Sequence, residues 1–363
     1  MSVVRIETVC FRQPMVPIHS RRFGSTQEIV LVSVFDDSGH VGHSMARAHG
    51  GQPGRGIADA IECSIAPLLC GLDPLEHERI WQSMMRLEPA GYVPVFAISA
   101  VDVAIWDLAG KILGQPLYKL LGGRCDRIMA YASSAHLDSV GDYVRDLERC
   151  LSRGYRAYKI HPFNHPQRDI ELCRALRKEA GDGVRLMLDV AKGYNRSDAL
   201  LVGRALEQLD YHWYEEPLPH YDIEGYAALS SALDIAVVGA ETIPGGVFSV
   251  ANHLRAGALD MVLCDVYWKA GVTGMLKTAG LCEAMGVGVA SHHGASPAMN
   301  FANLHVLAGA TNADMIEILV PEEGYDYALA NYLAPQADGW IAAPQAPGLG
   351  ISIDWDYIDA HRA

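Results

Sequence analysis

From about Met129 onward the chain alternates between short apolar runs and longer segments whose apolar positions recur at helical spacing. The runs are Met129 to Ser133, Ala157 to His161, Arg185 to Val190, Trp213 to Glu216, Ala236 to Glu241, Met261 to Asp265, Gly288 to His292 and Met315 to Ile318. Helical segments such as Asp169 to Glu179 lie between them. Strands alternating with helices are the pattern of parallel βαβ units, so these eight runs predict a β/α barrel. The first third reads differently. Val3 to Phe11 and Glu28 to Asp36 are strand-like, and Asp37-Ser38-Gly39 then turns the chain before Val41 and Gly42, which predicts an antiparallel meander. Helices are predicted over Gly56 to Leu69, Leu75 to Arg86 and Val95 to Leu113, where Ala97, Ala100, Val101, Ala104, Ile105 and Leu108 share a face and Gly114 ends the last. The expected fold is α/β: an N-terminal α+β capping domain over 1–125 and a (β/α)7–8 barrel over 126–335. A tail over 336–363, with Pro344, Pro347, Gly348 and Gly350 before Ile351 and Ile353, is expected to pack back on the capping domain.

Composition narrows the function. A length of 363 residues with half of them apolar supports a large barrel plus a smaller domain. With 29 basic against 43 acidic side chains the net charge is −14, which repels a nucleic-acid backbone or an anionic membrane. Eight cysteines without a Cys-x-x-Cys pair fit reduced thiols better than disulfides or zinc. Arg5 and Glu7 stand where a signal peptide needs an apolar run, and no run approaches the ~18 apolar residues of a membrane span, so a cytoplasmic protein is expected.

Polar residues fall in phase with the barrel units. Lys159 and His161 end one run, and Asp189, Glu215, Glu241, Asp265, His292 and Glu317 end the next six, spaced 26, 26, 24, 27 and 25 residues apart. In a β/α barrel the C-terminal strand ends converge on one mouth, so these residues are expected to meet. Asp189, Glu215 and Glu241 offer three hard oxygen ligands, a set suited to Mg²⁺. Lys159 and His161, two apart, point the same way, and a neighbouring ammonium would keep His161 neutral and able to accept a proton. Asp265 and His292 can form a carboxylate–imidazole dyad. Glu216 and His293 are expected to support these groups. Lys192, Trp268 and Lys269 fit structural roles at least as well.

These residues resemble the enolase superfamily, specifically its mandelate racemase subgroup. The resemblance runs through Gly42-His43-Ser44, Asp102-Val103-Ala104-Ile105-Trp106-Asp107, Asp189, Trp213-Tyr214-Glu215-Glu216-Pro217 and Gly239-Ala240-Glu241. It continues through Asp265 with Gly271-Val272-Thr273-Gly274, Ser291-His292, Glu317 and Pro347-Gly348-Leu349-Gly350. It implies a modified TIM barrel, Mg²⁺ held by Asp189, Glu215 and Glu241, the Asp265–His292 dyad, and Glu317 hydrogen-bonding a substrate carboxylate. Two basic residues, usually both lysines, end the second barrel strand in that family; here they are Lys159 and His161. Ala191 stands where the racemase pattern has an asparagine that grips an α-hydroxyl, which argues against mandelate.

The family's capping loop selects substrate, and Pro17 to Gln27 carries His19, Arg21, Arg22, Ser25 and Thr26, a polar set suited to a polyhydroxy acid. The expected activity is Mg²⁺-dependent removal of a carboxylate's α-proton, with dehydration of an acid sugar to a 2-keto-3-deoxy acid. Catalytic roles fall to Lys159, His161, Asp265, His292 and Glu317, and substrate binding to His19, Arg21, Arg22, Lys159 and Glu317. The alternatives are a racemase or epimerase of a 2-hydroxy acid, a sugar-lactone cycloisomerase, and an inactive sugar-acid binding or scaffold barrel. The resemblance also implies a homo-oligomer with a small-molecule partner.

Overall fold

The computed structural model describes residues 1–15, 24–48 and 51–363. Strands β1 (Val3–Pro14), β2 (Thr26–Asp36) and β3 (Val41–Arg47) form the antiparallel meander, with β2 in the centre. Its β2–β3 turn is closed by Asp36, whose Oδ1 accepts the Ser38 and His40 N–H groups at 3.0 and 2.7 Å. The helical run expected from Gly56 spans Arg55–Asp59 and Ala66–Leu69, joined by a π-helical stretch over Ala60–Ile65. Helices His77–Met85 and Val95–Ile112 follow, with a short helix, Leu87–Gly91, that the pattern does not predict.

Helix Val95–Ile112 is the joint of the molecule. Gly42 lets β3 lie against it, since a Cβ there would stand 2.0 Å from the Ala104 carbonyl oxygen. Buried Asp107 accepts the His43 and Leu349 N–H groups, both at 2.8 Å, and the Lys111 ammonium at 2.7 Å. Buried Asp102 accepts from the Thr273 N–H at 3.0 Å and the Thr273 hydroxyl at 2.8 Å. One helix is thus tied by its two aspartates to the meander, the tail and the barrel.

The barrel strands are β4 (Arg127–Ser133), β5 (Ala157–Ile160), β6 (Arg185–Asp189), β7 (Trp213–Glu215), β8 (Ala236–Gly239), β9 (Met261–Cys264), β10 (Gly288–Ser291) and β11 (Met315–Leu319). They pair in parallel from β10 back through β4 to β11. The circle is nearly closed by the isolated bridge of Val289 with Ala313 and by the Glu317 N–H on the Ser291 hydroxyl at 3.3 Å. Each strand contributes one side chain to a buried interior layer: Tyr131, Ala157, Met187, Trp213, Val238, Leu263, Ala290 and Met315. That layer is the packed floor beneath the C-terminal mouth.

The tail does more than the sequence suggests. Trp340–Ala342 forms a strand, β12, antiparallel to the start of β4, so this segment joins the barrel sheet before the chain returns to the meander. There Arg362 bridges Phe11, and the Arg12 N–H donates to the His361 carbonyl at 2.8 Å.

Candidate active site

Strand side chains alternate, so the residues two places beyond the floor layer face inward one step nearer the mouth. They are Ser133, Lys159, Asp189, Glu215, Ala240, Asp265, His292 and Glu317. Six of the eight sequence candidates of the barrel lie in this ring, and His161 follows Lys159 in the same phase. Glu241 is the exception, one residue past its inward position. The predicted strands were slightly too long: His161, Glu241, Asp265 and His292 all lie just beyond the last paired residue. Leaving the ladder frees their backbones to aim the side chains across the mouth.

Asp189, Glu215 and Glu241 come together, with one carboxylate oxygen of each within 4.8 Å of the others. The Lys159 ammonium lies 2.8 Å from Glu215 Oε1, 2.8 Å from Glu317 Oε1 and 3.4 Å from Asp189 Oδ2. Burial opposes its charge, but Glu215, Glu317 and Asp189 outweigh that and hold its pKa well above the ordinary lysine value. Burial, then Asp189, Glu241 and Glu317, push the Glu215 carboxyl well above the usual range despite Lys159. Asp189 goes the other way: burial is outweighed by Lys159, His161 and the Ala191 N–H, and its pKa is held far below normal. Among the described residues, the carboxyl groups of Asp189, Glu215, Glu241, Glu216, Asp265 and Glu317 share the ammoniums of Lys159 and Lys192 and the imidazoles of His161 and His292. Six carboxyl groups thus meet four basic partners, a balance that a divalent cation would offset.

The two histidines flank the triad. His161 Nδ1 lies 2.7 Å from the Ser134 carbonyl, so it must donate there, and Nε2 points to Asp189 Oδ2 at 3.0 Å. Lys159, the neighbouring charge expected from sequence, is held by Glu215 and Glu317, and His161 faces Asp189. On the other side His292 Nδ1 lies 2.5 Å from Asp265 Oδ2, and Nε2 lies 3.5 Å from Glu241 Oε2. Burial disfavours its imidazolium, yet Glu241, Asp265 and Glu317 outweigh it and push the His292 pKa up to about 10.

Glu317 has both oxygens engaged, Oε1 by Lys159 and Oε2 by the His293 N–H at 2.5 Å. Burial opposes its charge, but Lys159 and His292 hold its pKa down at about 2. The capping-loop candidates His19, Arg21 and Arg22 lie outside the described residues.

Sequence reasoning missed several contributors. The Trp213 indole donates to Glu215 Oε2 at 2.9 Å, and the Tyr131 ring lies 5.4 Å from the Lys159 ammonium while its hydroxyl donates to the Ser291 carbonyl. Asn303 accepts the Val266 N–H and donates to the His292 carbonyl, fixing both dyad loops. Lys192 and Glu216, both weighed from the sequence, pair with each other at 2.5 Å, and Lys192 reaches Thr242 at 3.1 Å. The floor aromatics carried a signal, since each sits two residues before a charged or polar mouth residue.

Residues 142–357 match the family described as enolase C-terminal domain-like, and residues 3–122 match the mandelate racemase / muconate lactonizing enzyme N-terminal domain. The chain is 31% identical to the 3,6-anhydro-alpha-L-galactonate cycloisomerase of Streptomyces coelicolor over 98% of both chains. It is 29% identical to the arabinonate dehydratase of Saccharolobus solfataricus, covering 90% of this chain and 88% of that one. Its fold matches the crystal structure of D-glucarate dehydratase from Agrobacterium tumefaciens complexed with magnesium, with a TM-score of 0.90, 32% identity and coverage of 100% and 99%. The chain therefore belongs to the enolase superfamily, in its mandelate racemase / muconate lactonizing enzyme branch, and is an enzyme of the lyase or isomerase class.

Proposed function

We propose that this enzyme removes the α-proton of a sugar-acid carboxylate and expels the β-hydroxyl, giving a 2-keto-3-deoxy acid. The observation that carries the reading is the flanking of the carboxylate triad by two imidazoles, each with Nδ1 tethered and Nε2 turned to the mouth. Asp189, Glu215 and Glu241 are the residues that would hold Mg²⁺: three clustered oxygen donors in an excess of negative charge suit a hard dication. When bound, that ion supplies positive charge where an enediolate's second negative charge develops.

His161, whose Nδ1–H is committed to Ser134, takes the α-proton at Nε2 once that nitrogen is released from Asp189, which now lies 3.0 Å from it. His292, held by Asp265, returns a proton to the departing hydroxyl from the opposite side. Lys159 lends its fixed charge to the substrate carboxylate. Glu317 hydrogen-bonds that carboxylate as the protonated acid, which requires the substrate to displace the Lys159 or His293 contact that now favours its charged form. His19, Arg21 and Arg22 are assigned to the substrate's hydroxyls on their polar character alone.

The full-length likeness to a cycloisomerase supports a second reading, in which the same proton abstraction ends in an isomer with no water lost. A library of mono- and diacid sugars assayed in D₂O separates the two. A 2-keto-3-deoxy product lighter than its substrate by one water supports dehydration, an isomer with no water lost, carrying solvent deuterium, supports cycloisomerisation, and neither product nor α-deuterium exchange from any acid removes the proposal. His292→Asn should still exchange the α-proton without eliminating, whereas His161→Asn should do neither; the reverse pattern would exchange their roles.

A further inference from the structure

Seven barrel strands deliver their mouth residues in phase with the pleat, and β8 does not. Two places past Val238 the inward position is Ala240, so Glu241 would face outward if the strand ran on. Instead Ala240 takes φ 75°, a left-handed conformation uncommon for a residue with a Cβ, and the turn swings Glu241 toward Asp189 and Glu215. A turn of this kind persists only where its surroundings hold it.

The holder is Lys269. Only 1% exposed, it sends its ammonium to the Ala240 and Glu241 carbonyl oxygens, both at 2.7 Å. Among the described residues no carboxylate lies within ion-pair distance of it. Burying an ammonium without a carboxylate is costly, and a methionine would fill similar volume without that cost. The side chain springs from a rigid base. The Lys269 N–H donates to the Asp265 carbonyl at 3.1 Å, and the Trp81 indole of the capping domain donates to the Ala270 carbonyl at 2.8 Å. Gly274 packs so close that a Cβ there would stand 1.7 Å from the Lys269 carbonyl oxygen.

We propose that Lys269 is a positioning residue, whose ammonium clamps the Ala240–Glu241 turn and so places the Glu241 carboxylate in the triad. The inference rests on reading the triad as a metal site. It also gives the capping domain a mechanical link to that site, through Trp81 and the loop that carries both Asp265 and Lys269.

The test is Mn²⁺ binding to the metal-free protein, followed by electron paramagnetic resonance, with circular dichroism as the check on folding. Lys269→Met should weaken Mn²⁺ about 10–100-fold, the usual effect of losing a group that orients a metal ligand. Lys269→Arg, which keeps charge and donors, should recover most of the affinity. In a Glu241→Gln background Lys269→Met should add little, because both changes remove the same ligand. If Lys269→Met does not fold, Lys269→Gln replaces it in the same comparison. A parent that binds Mn²⁺, with an uncharged variant within about two-fold of it, overturns the role of Lys269 alone. A parent that binds no Mn²⁺ overturns the metal reading and this inference with it.

Discussion

Asp102 and Asp107 on helix Val95–Ile112 are as buried as Asp189 and Glu215 at the barrel mouth, with exposures of 2%, 0%, 4% and 0%. Their surroundings differ in kind. The helix pair accepts hydrogen bonds from fixed backbone N–H groups, a threonine hydroxyl and one lysine, so every donor has a defined partner. The mouth carboxylates are set against one another and share too few ammoniums. Burial alone therefore does not mark a functional acid. What marks it is repulsion left standing among neighbours, which a folded protein has little reason to keep unless something cationic binds there.

The largest expected effect removes that cation. Chelation, or Glu215→Gln, should lower kcat on the order of 10³-fold or more, the equivalent of several kcal/mol of charge stabilisation. Thermal unfolding of the metal-free Glu215→Gln protein should match that of the metal-free parent, because relieving repulsion offsets the lost Lys159 and Trp213 contacts. A parent that keeps full activity in chelator would place these acids in the same class as the helix pair.

Next comes the dyad. Asp265→Asn should cost about 10²–10⁴-fold in kcat and resemble His292→Asn, because an amide neither holds the same tautomer nor supports the imidazolium. Near-normal turnover would mean that Asp265, like Asp107, serves the fold.

Asp107→Ala should show the opposite profile, losing about 3 kcal/mol of stability by leaving two backbone N–H groups unpaired and taking from Lys111 its carboxylate partner, with kcat per folded molecule unchanged. Urea unfolding and active-site titration read the two quantities separately. A stable but inactive variant would remove the contrast.

A pH dependence is also expected at Asp102. Burial raises its pKa to about 7 even though the Thr273 hydrogen bonds act to lower it. The folded value lies above the ordinary value of about 3.9, so the folded chain holds this proton more tightly. Its contribution to stability is fully present below about pH 4 and is lost as pH rises through about 7. The stability of the parent minus that of Asp102→Asn should fall across this window and level off above it; a difference independent of pH would show that folding does not raise the Asp102 pKa.

Much of the site was legible because strand alternation and βα spacing are local properties of the chain. Lys159, Asp189, Glu215, Asp265, His292 and Glu317 share one phase, and a barrel turns shared phase into proximity. Glu241 reads as the same kind of residue at nearly the same interval, yet its phase is wrong, and nothing near it in sequence says what turns it inward. Lys269 lies 28 residues away in the following unit. The partner of His161 was not legible for a related reason: its neighbour on the strand is Lys159, but its Nε2 meets Asp189 of the next strand, while Lys159 pairs with Glu215 and Glu317. The pairing of β12 with β4 joins segments some two hundred residues apart, and three residues carry no periodicity by which to find it.

The sequence by itself determined the alternation of strands and helices, the order of the two α/β regions, and the chemical types that meet at the mouth, because each follows from spacing along one chain. Tertiary structure decided the rest: which ammonium each carboxylate receives, which ring nitrogen of each histidine faces the mouth, and how an out-of-phase glutamate reaches its companions. Those outcomes depend on electrostatics and hydrogen bonds between separate strands, whose strengths are set by distance and burial in the folded molecule.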